Sequence, residues 1–413
     1  MSDDDPAEVP PETGMARSPA QRSHSATYYA TPEGLWQDTG TGVPVQLTSG
    51  VVEIAEILTR DHGDGSQDVR YVVRVRRGGD VVSVEATPSA LVRLNRFLAR
   101  VGVPCVVVHP YRERSAVRAI HALSAEAPRR TIYAHMGWRE VAGKWLYLHG
   151  TGAIGPDGPV EGVDVAPGVP GYGLPAPLAG GELVDAVAVV SQAVADAGPT
   201  LSALLGAAWR AALPAAAPFG LHLPDRQDDE STVAMAEVAL ACFGPSATAF
   251  WNMTPSAWEW IAWTSANTLV ALDTGALRPR PLPARAPRGL VVAIGRRPAS
   301  APALVLDGSG LVDRAALMRA HDAARAGVLA GAMAAFVAWL ARQAAQSGMG
   351  ALRSFIEARE ADFARQLSGE GLKASLATGW RWWLAFCEDQ AGLAPSEADG
   401  ILQSAVRALG AAG

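Results

Sequence analysis

Eight residues between an apolar strand and an apolar helix, Pro224 to Ser231 (PDRQDDES), occupy a place where a chain can cradle phosphate. A phosphate-binding loop there reads G-x-x-x-x-G-K-[ST]. Its glycines let the backbone approach the anion, its Lys reaches the outer phosphates, and its hydroxyl holds magnesium. Laid over this stretch, the two glycines become Pro224 and Asp229 and the Lys becomes Glu230. Ser231 and the following Thr232 keep their hydroxyls. Asp228, Asp229 and Glu230 suit the start of a helix, where carboxylates complement free amides and the positive dipole end. A phosphate would instead meet like charges, each costing about 1 kcal/mol at 4 Å in water and more in a closed site. Arg226 offsets only part of this. The framework of a phosphate site is present and its chemistry is not, so no cofactor is expected; ATP and magnesium belong to the alternative of a rebuilt site.

Other residues with chemical potential lie downstream. Asp273 ends the apolar run TLVALD and is followed by Thr274. An Asp there can hold magnesium; without a neighbouring Glu it reads as a strand-end residue. From Thr274 to Leu306 the chain carries Arg278, Arg280, Arg285, Arg288, Arg296 and Arg297 and no acid. Such a basic loop can grip a phosphate backbone or an acidic partner, or be a solvated, Pro-stiffened loop paired with nearby acids. Trp251, Trp258, Trp260 and Trp263 are dense enough for base stacking. Trp260 and Trp263 share one helix face with Trp258 opposite, and core packing on both faces is the expectation, as for Trp380 and Trp383. Cys105 and His109 have one C-x-x-x-H spacing without a second pair, and His135 and His149 lack a third ligand, so no metal site is expected. No nucleophile elbow, H-E-x-x-H or dinucleotide fingerprint occurs in context.

Stepping outward, 413 residues suffice for two or three domains. Hydrophobic residues make up 49% and charged residues 18%, with net charge −6, so no global basic surface points to nucleic acid or an anionic membrane. Lys occurs only at Lys144 and Lys373, far in sequence from the phosphate loop. Three widely spaced cysteines, Cys105, Cys242 and Cys387, suggest reduced thiols in a cytoplasmic protein. The acidic start MSDDDPAEVPPETG has no apolar core and is no secretory signal. The apolar run from Ala326 to Ala341 falls short of the roughly 20 residues of a spanning helix and reads as a buried helix.

The elements follow in order. Residues 1–25 read as a disordered tail. An α+β domain over 26–154 is expected next. It has β-branched runs from Val51, Val69 and Asp80, a hairpin at Gly78-Gly79 and a plain turn at Asp61–Ser66 whose acids lack EF-hand spacing. A helix capped by Thr87 and opened by Pro88 is expected to run to about Arg100, and two later strands flank a turn at Ala142-Gly143. Residues 155–182 are Gly/Pro-rich and read as a linker or irregular surface segment. Over 183–312, two helices precede PFGLHL, a buried helix follows the loop, Thr254 caps a helix with Pro255 at its first position, and two apolar strands follow. That order suits a three-layer α/β sheet. From 313 to 413 the chain is Ala-rich and predicts about four helices.

HMGWRE with KWLYLHGTGAIG, PFGLHL with its loop, FWNMTPSAWEWIA, TLVALDTGA, GLVVAIG and LATGWRWWLAFCEDQAG, taken together in this order, resemble an uncharacterised helicase-like P-loop domain family of phages, plasmids and integrative elements, in its actinobacterial form. The resemblance implies a RecA- or AAA-like P-loop core, preceded by the α+β domain and followed by the helical region, with a part in DNA replication or element mobilisation. The family's phosphate loop is Gly-rich with a Lys, its second motif ends in Asp-Glu where this chain has Asp273-Thr274, and its later strand often ends in Gly-Glu where this chain has Gly295-Arg296. Three readings follow. The first is a non-catalytic homologue acting as scaffold or regulatory subunit with a protein partner or as a homo-oligomer. The second is an NTPase with a rebuilt site. The third is a DNA-binding module using the arginines from 278 to 297. None calls for a membrane.

Overall fold

The computed structural model describes residues 27–40, 42–166, 171–196, 198–215, 219–224, 230–247, 254–273, 287–295, 303–306 and 313–411. The chain folds as two compact units. The first comprises residues up to Leu58 and Val69–Arg130; the second comprises Thr59–Asp68 and Thr131–Gly413.

In the first unit, β1 (Thr27–Thr31), β2 (Gly34–Asp38) and β3 (Val45–Gln46) form an antiparallel sheet in that order. The long strands β4 (Val51–Asp61) and β5 (Gln67–Arg77) continue into β6 (Asp80–Ala86). β5 and β6 pair antiparallel from Tyr71↔Ala86 to Arg77↔Asp80 around the expected Gly78-Gly79 turn. Thr87 accepts a hydrogen bond from the Ala90 amide and opens α1 (Pro88–Val92). The single helix expected to Arg100 is interrupted at Arg93 (φ −110°, ψ 60°), and α2 (Leu94–Val101) starts afresh. The cause lies outside local sequence: Glu113, first residue of α3 (Glu113–Leu123), accepts from the Asn95 amide at 2.7 Å and supplies a cap for a new helix start. Leu91, Leu94 and Leu98 bury with Val73, Val75 and Ile120 in one core.

The second unit begins inside β7 (Arg129–Tyr133). β8 (Gly137–Val141), β9 (Lys144–His149), β10 (Gly152–Gly155) and β11 (Gly158–Val160) form an antiparallel meander, and β12 (Asp164–Val165) runs parallel to β7. The division therefore falls near Arg130 and not at residue 154, and the Gly/Pro-rich stretch is partly core. Trp138, Tyr147, Ile154, Tyr172 and Leu174 all bury in the main cluster of this unit. Apolar burial sets the boundary here, and composition alone misplaces it.

α4 (Gly180–Asp196) and α5 (Pro199–Ala212) lead to the parallel sheet. It is built from β13 (Gly220–Pro224), β14 (Leu269–Asp273), β15 (Leu290–Gly295) and β16 (Ala303–Val305) in the order β14-β15-β13-β16. Every strand pair is parallel. α6 (Glu230–Leu240) follows β13, and α7 (Pro255–Thr264) precedes β14, with Thr254 accepting from the Ala257 amide as its cap. β15 is buried at all six positions, as a parallel sheet covered on both faces requires.

Five helices complete the described chain: α8 (Arg314–Arg325), α9 (Val328–Ser347), α10 (Met349–Gln366), α11 (Gly371–Gln390) and α12 (Pro395–Ala411). α9 is long and apolar enough to cross a membrane, but 78% of its most apolar window is buried within the fold. Trp209 of α5 stacks on Trp383 of α11 at 3.8 Å between centroids, with Phe336 of α9 edge-on to both. Arg210, fully buried, spends its guanidinium on Ser375 Oγ, the Ala215 carbonyl and Glu360 Oε2, tying α5 to α10 and α11.

α5 and α11 touch through glycine. A Cβ on Gly379 would lie 2.3 Å from the Gly206 carbonyl oxygen, a backbone atom that cannot swing aside. Gly379→Ala is expected to cost about 1–3 kcal/mol through overpacking and to lower the thermal midpoint of the full chain. An unchanged midpoint would show that the helices separate freely.

Candidate functional site: the two edges of the parallel sheet

In open α/β sheets, ligands bind beyond the carboxyl ends of the strands, where the strand order reverses. Here the reversal is at β13: β15 and β14 lie on one side and β16 on the other. Pro224 ends β13 opposite Gly295, and Asp273 ends β14 opposite Ile294. Asp273 is thus two strand spacings from Pro224, about 10 Å across the sheet. The structure brings the strand ends at Pro224 and Asp273 to one edge of the sheet.

Glu230, the first residue of α6, is exposed and pairs with Arg314 at 3.7 Å, so its carboxylate faces solvent and a helix of the same unit. An exposed pair of this kind contributes little stability. Ser231 is half-buried and Thr232 buried at the first turn. Asp229, Thr274, Arg278, Arg280, Arg285, Arg296 and Arg297 lie outside the described residues, as does Arg226. His222 was not singled out from sequence. It is buried in β13, and its Nε2 donates to the Gly295 carbonyl at 2.8 Å, holding the carboxyl ends of β13 and β15 in register. It is the only polar side chain in the apolar run PFGLHL, and that isolation is the signal that could have found it.

The amino edge is stapled. The Met136 amide donates to the Thr264 carbonyl, Trp138 Nε1 to the Ala212 carbonyl, and the Tyr147 hydroxyl to the Asn267 carbonyl. The Tyr172 hydroxyl donates to the Leu269 carbonyl, and the Asn267 amide to that of Leu213. Gly137, at φ 92°, leaves no room for a Cβ, which would lie 2.5 Å from the Ala266 carbonyl oxygen. The HMGW segment is therefore a brace for the strand that carries Asp273.

Arg288 belongs to this edge, before β15, while Arg296 follows β15 in sequence. Its two terminal nitrogens donate to the carbonyls of His62 and Gly63 at 2.7 and 2.8 Å, and its guanidinium lies 5.2 Å from the Trp263 ring centre. Of the six arginines from 278 to 297, this one is committed to holding the fold. Trp260 and Trp263 also depart from the expectation of core packing. Trp260 is 46% exposed, and both line a cleft of about 530 Å³ with Arg60, His62 and His135. His135 Nδ1 donates to the Met136 carbonyl at 2.9 Å, and burial lowers its pKa. Trp258, Trp380 and Trp383 are buried as expected. Among the described residues no group of three or more His, Cys, Asp or Glu could hold a metal ion, and the three cysteines are free and buried.

No family model matches the chain, and no curated protein matches it. Among solved structures it is similar to a chain described as "SCCmec type IV Cch - active helicase", with TM-score 0.51 and 11% identity, over 93% of this chain and 78% of that one. At that identity the likeness concerns the fold alone: this is a mixed α/β chain with a helicase-like fold.

Two outcomes are expected from the stapled edge. Arg288→Lys keeps the charge but loses the planar fork that reaches two carbonyls, and should cost about 1–2 kcal/mol of stability in a thermal melt; an unchanged midpoint would mean the clamp contributes nothing. His149 gives the second. Its Nδ1 accepts from the Leu174 amide at 3.2 Å, and burial pushes its pKa from 6.5 down to about 4. A depressed folded pKa means that the unfolded chain binds the proton first. Stability is fully present above about pH 6.5 and is lost as pH falls towards about 4. Melts across that window should show the loss, and His149→Asn, which keeps an acceptor there, should reduce it.

Proposed function

We propose that this chain is a non-catalytic P-loop homologue, a distant member of the helicase-like family of phages, plasmids and integrative elements. In this reading it works in the cytoplasm as a scaffold or regulatory subunit of an assembly for element mobilisation or DNA replication. Its partner is another protein or further copies of itself, and no cofactor takes part. One observation carries the reading. A strand-loop-helix unit, β13 to α6, sits at the reversal point of a parallel sheet, and its loop contains no Gly and no Lys.

The strand order supports a RecA- or AAA-like core. In that architecture one strand intervenes between the strand before the phosphate loop and the strand bearing the magnesium-binding Asp, as β15 does between β13 and β14. The likeness to a helicase chain supports the same core. Without backbone glycines the loop cannot approach phosphate closely, and acids at the helix start repel it. Asp273 is then the retained end of a strand whose framework persists for assembly.

Steady-state phosphate release with ATP and magnesium tests this. The wild-type chain is expected to stay at the background rate, and Asp273→Asn is expected to change nothing. Magnesium-dependent turnover abolished by Asp273→Asn would overturn the proposal in favour of an NTPase with a rebuilt site.

A further inference from the structure

Charge is unevenly divided within the first unit. Residues 69–130 hold twelve arginines against four carboxylates, a formal +8, whereas residues 1–58 hold two arginines against nine carboxylates, a formal −7, in a chain of net charge −6. Three strand arginines are paired: Arg74 and Arg76 with Glu53, and Arg130 with Glu56. Those on α2 are not. Arg93, Arg96 and Arg100 are exposed and make no ion pair or side-chain hydrogen bond among the described residues. Arg96 and Arg100 stand four residues apart on one face of α2, and Arg93 sits at the break just before it. They line a shallow groove of about 540 Å³ with the hydroxyls of Thr87 and Ser89.

Between Thr87 and Ile120 the only acid is Glu113, and it is spent on the Asn95 amide as the cap that starts α2. The same contact sets the start of α3 against the start of α2. Immediately before α3, Tyr111 is 79% exposed, stacks with His109 at 5.5 Å between ring centres, and lies under the Arg112 guanidinium at 5.9 Å. Tyr111 is an exposed aromatic under one guanidinium, two residues before the Glu113 that caps α2, and a ring in the same unit as exposed guanidinium groups is the pairing that single-stranded nucleic acid uses. The backbone follows the cations and a base stacks on the ring. An acidic protein surface would need the cations alone and gives no role to Tyr111.

We propose that the α2 face of the first unit is a nucleic-acid binding surface that takes single strands, with Arg93, Arg96 and Arg100 on the phosphates and Tyr111 as a base platform. The surface belongs to the first unit, whereas the arginines between 278 and 297 and the strand ends at Pro224 and Asp273 belong to the second. It does not depend on whether nucleotide is bound or hydrolysed.

The experiment is fluorescence anisotropy with the full chain and a labelled single strand of about 20 nucleotides, in salt from about 50 to 200 mM. Wild type should bind with a steep salt dependence. The triple variant Arg93→Ser/Arg96→Ser/Arg100→Ser should bind at least tenfold more weakly at low salt, with the log–log salt slope reduced by about 2. Tyr111→Ala should weaken single-strand binding and leave duplex binding unchanged. All four side chains are exposed, so thermal midpoints should match wild type; if the triple variant melts early, the three single exchanges carry the test, each expected to weaken binding severalfold. The proposal is overturned if wild type fails to bind at low salt, or if the arginine variants bind as tightly as wild type. It is also overturned if anionic lipid vesicles compete better than the oligonucleotide, or if exchanging Arg278, Arg280, Arg285, Arg296 and Arg297 alone removes all binding.

Discussion

A parallel sheet has two apolar faces and both must be covered. The burial of β15 at every position states that requirement for this chain, and much of the second unit answers it. α5 and α6 pack on the sheet, α9 and α11 extend the same apolar cluster, and the meander of β8 and β9 joins it through Trp138 and Tyr147. Because the helices that cover the sheet are themselves buried, their contacts are close. Trp209 against Trp383 and Gly206 against Gly379 leave no slack between α5 and α11. Arg210 can be buried among them only because three acceptors use its guanidinium.

Covering the sheet also makes its two edges unequal. The amino edge is fixed by side chains that reach backbone carbonyls, from Trp138, Tyr147, Tyr172 and Arg288. The carboxyl edge is held in register by His222 on Gly295. In α/β sheets ligands bind beyond the carboxyl ends of the strands. The stretch from Pro224 to Ser231 contains no Gly and no Lys. Charge is sorted in the same way: Arg74 and Arg76 are paired, Arg288 is built into the fold, and Arg93, Arg96 and Arg100 make no ion pair among the described residues.

Much of this was legible in the sequence because it is encoded locally. The Gly78-Gly79 hairpin, the caps at Thr87 and Thr254, the parallel strands before Pro224 and Asp273, and the buried Trp380 and Trp383 follow from turn chemistry, capping and periodicity. What was missed depends on partners distant in sequence. The helix break at Arg93 comes from Glu113, eighteen residues on. The role of Arg288 comes from carbonyls more than two hundred residues earlier. Tyr172 and Leu174 sit in a segment whose Gly/Pro content reads as linker, yet they are core. Trp260 and Trp263 have the helical spacing of core residues, and only the tertiary arrangement opens a cleft beside them. The strand ends at Pro224 and Asp273 were legible from the apolar runs before them; the strand between them was not, since strand order is a property of the sheet.

The central claim is that this chain keeps the framework of a nucleotide-binding sheet and has lost the means to hold the nucleotide. Titration of the purified full chain with a fluorescent ATP analogue and magnesium tests that claim most directly. The account predicts no saturable signal up to millimolar analogue, because Pro224, Asp229 and Glu230 stand where two glycines and a Lys are needed. Saturable binding in the micromolar range, weakened by Asp273→Asn, would contradict it and mean that this loop holds phosphate by other groups.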